Sequence, residues 1–394
     1  MAVAIVAGAI ANKPLNGGES WVRLSWLLGL RRLGFEVYFV EMLDTSTCVD
    51  AAGEPAAFAD SANADQLDTV VREFGLRGSV ALLDDRGGWL YGLELGELAE
   101  RFGEAEVLFD LSGHLGRAAV ARSARRRVYV DLDPAFTQVW HADPALSFTL
   151  SGYDSYVTVG LNVGAAAWPI PLAGLEWIPT LPPTLLDEWR SEPVAHSCDR
   201  DAPYRFTTIA TWRSPFGAIS IDGRTLALKH HEFRRVIALP QQVAGAEFEL
   251  ALDIHAADAG DRQALRAHGW SVASPAIVAA TPGSFRDYVR GSDAEFSVAQ
   301  PAYVETASGW FSDRTAAYLA AGRPALVQDT GLGNALAHGE GLLAFATPSE
   351  AAECARRLVA EPLAHAEAAR RFAETHLNSD LVLARLLETL GIGG

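Results

Sequence analysis

Lysine is nearly missing from this chain. Lys13 and Lys229 are the only two in 394 residues, and the rest of its 32 basic residues are arginine. That leaves two places for a lysine-bound cofactor, and neither has a fitting context. Cysteine is almost as scarce: Cys48, Cys198 and Cys354 lie far apart and form no CxxC pair, which argues against a disulfide framework or a zinc knuckle and for a reducing, cytoplasmic setting. Positive charge is short overall. The formal net charge of −17 excludes the basic surface that unspecific nucleic-acid or anionic-membrane binding requires. A few local cations can still hold a small phosphate-bearing ligand. No uncharged apolar run reaches the length of a membrane span. The opening MAVAIVAGAIANKP lacks a basic leader and reads as a buried first strand rather than a signal peptide. No GxGxxG directly follows a strand, so a nicotinamide-dependent dehydrogenase is disfavoured. Solenoid-period repeats and low-complexity tracts are also missing.

What is present is an alternation of short apolar runs and helical stretches. VAIVAGA from Val3 reads as a strand, ESWVRLSWLLGLRRLG as a helix ending at Gly34, and FEVYFVEM as the next strand. That βαβ order implies a parallel sheet. AEVLFDLSG, RRVYVDLD and SYVTVGLN continue the sheet, and LEWIPTLPP is expected to leave it. The Pro- and charge-rich stretch Leu181–Tyr204 reads as an inter-domain linker. Alternation then restarts with RFTTIATW and ends in a helical tail. The expected fold class is α/β: two Rossmann-like parallel-sheet domains facing across a cleft, at 1–190 and 191–375, with a C-terminal helix at 376–394 packed back on the first domain.

The stretch SGWFSDRTAAYLAAGRPALVQDTG, from Ser308, carries the strongest functional signal. Ser308 or Ser312 can cap a helix, Asp313 suits the positive end of its dipole, and Gly322 and Pro324 stop it. Small residues leading into a helix N-terminus make a ready phosphate site, so Ser308, Gly309, Trp310, Ser312 and Asp313 are candidate donor-site residues. Glu305, eight positions before Asp313, places one carboxylate towards the reacting end of a ligand, and Asp313 is suited to the two hydroxyls of a ribose. Arg213, after the first strand of the second domain, and Lys229, opening the next helix, are the candidate phosphate cations, since ligands of open parallel sheets sit outside the carboxyl ends of the strands.

These residues give the chain a resemblance to the GT-B glycosyltransferases, over essentially its whole length. YVETASGWFSDRTAAYLAAGRPALVQDTGLG from Tyr303 and HGEGLLAF from His338 resemble their donor-binding region, E-x7-E followed by a helix and G-x-P. The second acid is here Asp313, and GAISIDGRTLAL, read as an inserted hairpin, separates Arg213 from Lys229 more widely than the family does. The resemblance implies a nucleotide-diphosphate sugar, UDP- or dTDP-linked, as co-substrate. It implies a small-molecule acceptor, no metal and no bound cofactor, with self-association as a homodimer left open. It also casts Gly17 and Gly18 in PLNGGES as a phosphate-approaching loop and His114 as an active-site histidine. Inversion needs a base such as His114, Glu19 or another first-domain acid. Retention would leave Glu305 and His114 flanking the donor sugar, and the E-x7 spacing leans that way. Trp89 and Trp140 are the expected aromatics of an acceptor pocket. A sugar-nucleotide epimerase and a non-catalytic binding protein are the competing readings. A phosphorylase would need a lysine for pyridoxal phosphate.

Overall fold

The computed structural model describes residues 1–115, 118–146, 148–190, 202–221 and 223–393. The first sheet has eight strands: β1 Val3–Ala7, β2 Glu36–Leu43, β3 Val80–Asp84, β4 Trp89–Gly92, β5 Ala105–Leu111, β6 Arg127–Asp131, β7 Ser155–Thr158 and β8 Trp177–Pro179. Their spatial order is β4-β3-β2-β1-β5-β6-β7-β8, parallel except for the β3–β4 pair. The second sheet is parallel throughout, in the order β13-β12-β9-β14-β15-β16. Its strands are β9 Tyr204–Thr211, β12 Ala246–Asp253, β13 Trp270–Ala273, β14 Ala294–Ser297, β15 Ala325–Gln328 and β16 Leu342–Phe345. Between β9 and β12 a small antiparallel hairpin intervenes, β10 Ser220–Ile221 and β11 Arg224–Thr225. The central strand VAIVA is buried at every position, as a strand covered on both faces must be.

Two expectations are corrected here. LEWIPTLPP does not leave the sheet at once: Trp177–Pro179 forms β8, which pairs with β7 at the edge, where a proline lacking its N–H is tolerated. Trp89, expected in an acceptor pocket, instead opens the antiparallel edge strand β4 and is exposed. The middle of the predicted linker, from the domain boundary at 190/191 to residue 201, lies outside the described residues. The tail is three helices, Pro348–Ala360, Pro362–His376 and Ser379–Leu390. The last returns to the first domain: Thr184 exchanges backbone hydrogen bonds with Leu377 and Ser379, and a Cβ on Gly29 would meet Leu383 Cδ1 at 2.5 Å.

The two sheets meet carboxyl end to carboxyl end along a seam. The N-terminus of the helix Gly17–Arg32 presses on the second domain. Gly17 donates to the Ala279 carbonyl at 2.9 Å, Trp21 Nε1 donates to the Pro282 carbonyl at 2.8 Å, and Arg286 pairs with Glu188 at 2.7 Å. On the other side of the cleft, Asn162 donates through Nδ2 to the carbonyls of Ala307 and Gly331, at 2.8 and 2.9 Å.

The seam predicts a contrast between two glycines. A Cβ on Gly17 would lie 2.1 Å from the Thr281 carbonyl oxygen, which is backbone and cannot swing aside. Gly17→Ala is expected to cost about 1–3 kcal/mol, as overpacking does. Gly103, inside the helix Leu95–Glu104, has nothing within 4 Å of an added Cβ. Gly103→Ala is expected to gain about 0.5–1 kcal/mol. Urea denaturation of both variants checks the opposite signs.

Candidate functional site

In an open parallel sheet a crevice forms where the strand order reverses, beyond the carboxyl ends of the strands. The reversals here fall between β1 and β5 in the first sheet and between β9 and β14 in the second. The two crevices face each other and merge into one cavity of about 1080 Å³. The residues that follow strand ends line it: Lys13 after β1, His114 after β5, Asp133 after β6, Thr211 at the end of β9, Ser274 after β13 and Gln300 after β14.

On the second-domain side Lys229, Arg314, Arg262 and Arg266 all line the cavity, and Lys229 and Arg314 are the two beside the end of β9. Arg314 is in the first turn of the helix Asp313–Ala320, and its guanidinium closes the β9/β14 reversal from inside. It donates to Glu295 at 2.7 Å, to the Ile209 carbonyl at 2.7 Å and to Ser297 Oγ. Lys229 opens the helix Lys229–Arg235 and lines the same wall, with Nζ 3.5 Å from Thr211 Oγ1. Burial, reinforced by the charge of Arg314, brings its pKa down from 10.5 to about 7. The helix N-terminus itself reaches the cavity through Ser312 and Asp313. Ser312 caps it by accepting from the Arg314 amide at 3.2 Å. Burial, together with the facing charge of Glu19 and partly offset by Arg23, raises Asp313 to about 6.

On the first-domain side Arg23 is buried to 3% exposure and runs past Gly8, where a Cβ would lie 2.9 Å from its Cγ. Arg23 pairs with Glu19 one helical turn away, and its Nε has no hydrogen-bond partner. Burial alone would raise the Glu19 carboxyl, but Arg23 and Lys13 outweigh it and hold the carboxyl below its ordinary value. His114 is driven down to about 4 by burial and by Arg23, so it is neutral at pH 7. Asp133 is pushed up to about 7 by burial and by neighbouring Asp131.

The sequence candidates thus divide. Lys229, Asp313, Ser312, Trp310, Gly18, Glu19 and His114 are brought together around the cavity. Arg213 is not: it forms a bidentate pair with Asp258 at 2.8 and 2.6 Å, beyond the cavity lining. Glu305 is not either, since the hairpin's Arg224 pairs with it. Gly17 and Gly18 open a helix against the second domain instead of forming a loose loop, and the Gly17 amide is taken by Ala279. The amides of Ser308–Trp310 are likewise occupied, by the Tyr303 carbonyl, the Thr330 carbonyl and Ser308 Oγ. Their small side chains serve the seam, because Gly309, at φ +68°, packs against Asn162 and Leu161. Of the aromatics, Trp140 lines the cavity with Phe148 and Phe216, and Trp89 does not. Arg314, Arg23 and Asp133 were not singled out from the sequence. Arg314 is adjacent to Asp313 in SDRT, and Asp133 follows a strand end in YVDLDP, so its place just past a strand end was the signal available for it.

This architecture is the GT-B fold, two Rossmann-like domains across a cleft with a helical tail. Among solved structures that share it, HepE of Anabaena in complex with UDP-glucose has 13% identity, coverage of 99% of this chain and 100% of that one, and a TM-score of 0.59. Sucrose-phosphate synthase of Thermosynechococcus elongatus has 11% identity, 99% coverage of both chains and a TM-score of 0.54. AviGT4, a glycosyltransferase involved in avilamycin A biosynthesis, has 14% identity, coverage of 98% and 96%, and a TM-score of 0.54. No protein-family model matches the sequence, and no curated protein matches it. Among the described residues no helix is long and apolar enough to cross a membrane.

Lys229 makes the free protein's stability depend on pH with a definite sign. In the unfolded chain a lysine keeps its proton to about 10.5, while in the fold Lys229 releases it near 7. Between those values the unfolded state binds more protons, so this residue makes stability rise with pH. Lys229→Met is expected to raise the melting temperature at pH 7, with the gain fading towards pH 10. Calorimetric melts across that range check it.

Proposed function

We propose that this protein is a glycosyltransferase that moves a sugar from a UDP- or dTDP-linked donor to a small-molecule acceptor. The observation that carries this reading is the placement of Lys229, Arg314 and the Ser312–Asp313 helix start on one wall of a cavity built at two strand-order reversals. Breaking the anomeric C–O bond leaves negative charge on a diphosphate, and a preformed cationic wall stabilises that charge as it develops. Lys229 supplies the mobile charge. Arg314, fixed by Glu295, Ile209 and Ser297, supplies a static one and keeps the helix start aimed at the cavity. In this reading those groups neutralise the leaving diphosphate, and no metal is given that task.

The GT-B fold supports the reading, and the HepE structure that shares it holds UDP-glucose. The acceptor side is aromatic: Trp140 packs edge-on against Phe216 at 4.9 Å and Phe148 at 5.9 Å, a wall suited to a flat or sugar-bearing molecule. AviGT4's role in avilamycin A biosynthesis is in keeping with a secondary-metabolite acceptor. The free thiols Cys48 and Cys354 are in keeping with work in the cytoplasm.

The test is a thermal-shift and calorimetric screen over nucleoside diphosphates. UDP or dTDP is expected to raise the melting temperature in proportion to occupancy. Lys229→Met should weaken that binding roughly 10- to 100-fold, the scale of a lost charged hydrogen bond. Arg213→Ala, outside the cavity, should leave it within about twofold. Binding that depends on Arg213 and ignores Lys229 would put the donor elsewhere.

A further inference from the structure

We propose that Asp133 is the group that takes the acceptor's proton, and that Tyr303 of the opposite domain orients it only when the cleft is closed. The proposal rests on the glycosyltransferase reading above and names the base that reading leaves open.

Three first-domain groups face the cavity and can accept a proton: Glu19, His114 and Asp133. Glu19 is committed to Arg23, which keeps it ionised and a poor base. His114 lies in the turn after β5, at Ser112–Leu115, and makes no hydrogen bond among the described residues, so none of them fixes its ring or tautomer. A general base needs both an orienting partner and a proton affinity near the working pH, and Asp133 has both. Its Oδ1 accepts from the Tyr303 hydroxyl at 2.9 Å, and its Oδ2 has no hydrogen-bond partner among the described residues and opens to the cleft.

The strand end is built to hold this geometry. Asp131, two residues earlier, is fully buried and gripped by Thr137 at 2.6 Å, Gln138 at 3.0 Å and Thr158 at 2.8 Å. Asp131 also accepts from the Asp133 amide at 2.9 Å, which turns the Asp133 side chain out of the sheet. Tyr303 is itself clamped, stacked on Trp310 at 4.5 Å and edge-on to Phe136 at 5.8 Å. The Tyr303–Asp133 bond therefore crosses the cleft, since Tyr303 belongs to the helix Pro301–Glu305 of the second domain. Domain separation breaks it. The groups that set the charge of Asp133 are Asp131 on its own strand end, Tyr303 across the cleft, and Glu19 and Arg23 on the helix Gly17–Arg32. Tyr129, on β6, is coupled to it as well. Burial and Asp131 push the carboxyl up to about 7, and the Tyr303 hydroxyl opposes that rise.

The step balances simply. The acceptor oxygen forms a bond to the anomeric carbon as its proton passes to Asp133. The anomeric C–O bond to the diphosphate breaks, and the electron pair leaves with the nucleoside diphosphate. A base on the acceptor side corresponds to inversion, against the lean of the E-x7 spacing towards retention; Glu305, which carries that spacing, is paired with Arg224 outside the cavity lining.

The test measures UDP release from UDP-glucose, to water or to added alcohols, beside UDP binding. Asp133→Asn is expected to lose 100-fold or more in turnover, the scale of general-base catalysis, with UDP affinity within threefold of the parent as proof of folding. Tyr303→Phe removes a donor that favours the carboxylate, so the acid limb of the pH–rate profile should move to higher pH. A purely structural tyrosine would lower the rate without moving the limb. Turnover of Asp133→Asn near the parental rate, or an unmoved limb in Tyr303→Phe, would overturn the assignment while leaving the donor site standing. A parent protein that does not bind UDP would overturn the donor reading, and this assignment with it.

Discussion

Everything in the cleft depends on the backbone seam that fixes one sheet against the other. Where Gly17 meets Ala279 and Thr281, two main chains approach more closely than any side chain permits. Where Ser308–Trp310 runs beside Gly160–Asn162, the domains share backbone hydrogen bonds and an isolated bridge between Gly160 and Trp310. These contacts set the carboxyl ends of both sheets opposite each other. Without them, Glu19 would not raise Asp313, and Tyr303 would not reach Asp133.

The seam also explains why small residues cluster around the site without binding anything themselves. A glycine beside a helix N-terminus and a glycine at a close inter-domain contact look alike in a sequence. Both lack a Cβ for reasons of approach, and the partner that approaches Gly17 is 262 residues further on, at Ala279. The same distance problem hides the ion pairs. Arg213 stands at a strand end, where phosphate cations are found, yet Asp258 from the loop after β12 claims it. Glu305 has the spacing of a donor-site acid, yet the inserted hairpin carries Arg224 to it.

What the sequence did disclose was periodic or local. The alternation of buried strands and amphipathic helices is set by short-range patterning, so the two-sheet architecture, the β10–β11 hairpin and the capped helix at Ser312 could be read directly. So could the position of Lys229, at the start of the helix that follows the second domain's first strand. Edge strands were harder to see: β4 and β8 are short and half-exposed, so their composition resembles that of loops. Arg314 went unnoticed because its importance lies in a tertiary pocket formed by Ile209, Glu295 and Ser297 from two neighbouring strands.

The resulting site is asymmetric in charge. The second-domain wall offers a lysine held near its point of neutrality, a fixed arginine and a helix start, while the first-domain wall offers acids whose proton affinities have been driven apart. That division suits a reaction in which one partner leaves as an anion and the other gives up a proton. Its most direct test is a crystal structure of the protein with UDP. The account predicts the diphosphate against Lys229 Nζ and the Ser312–Arg314 turn, inside the cavity. A diphosphate bound instead beside Arg213, or along Gly17 and Gly18 with Lys229 untouched, would contradict it.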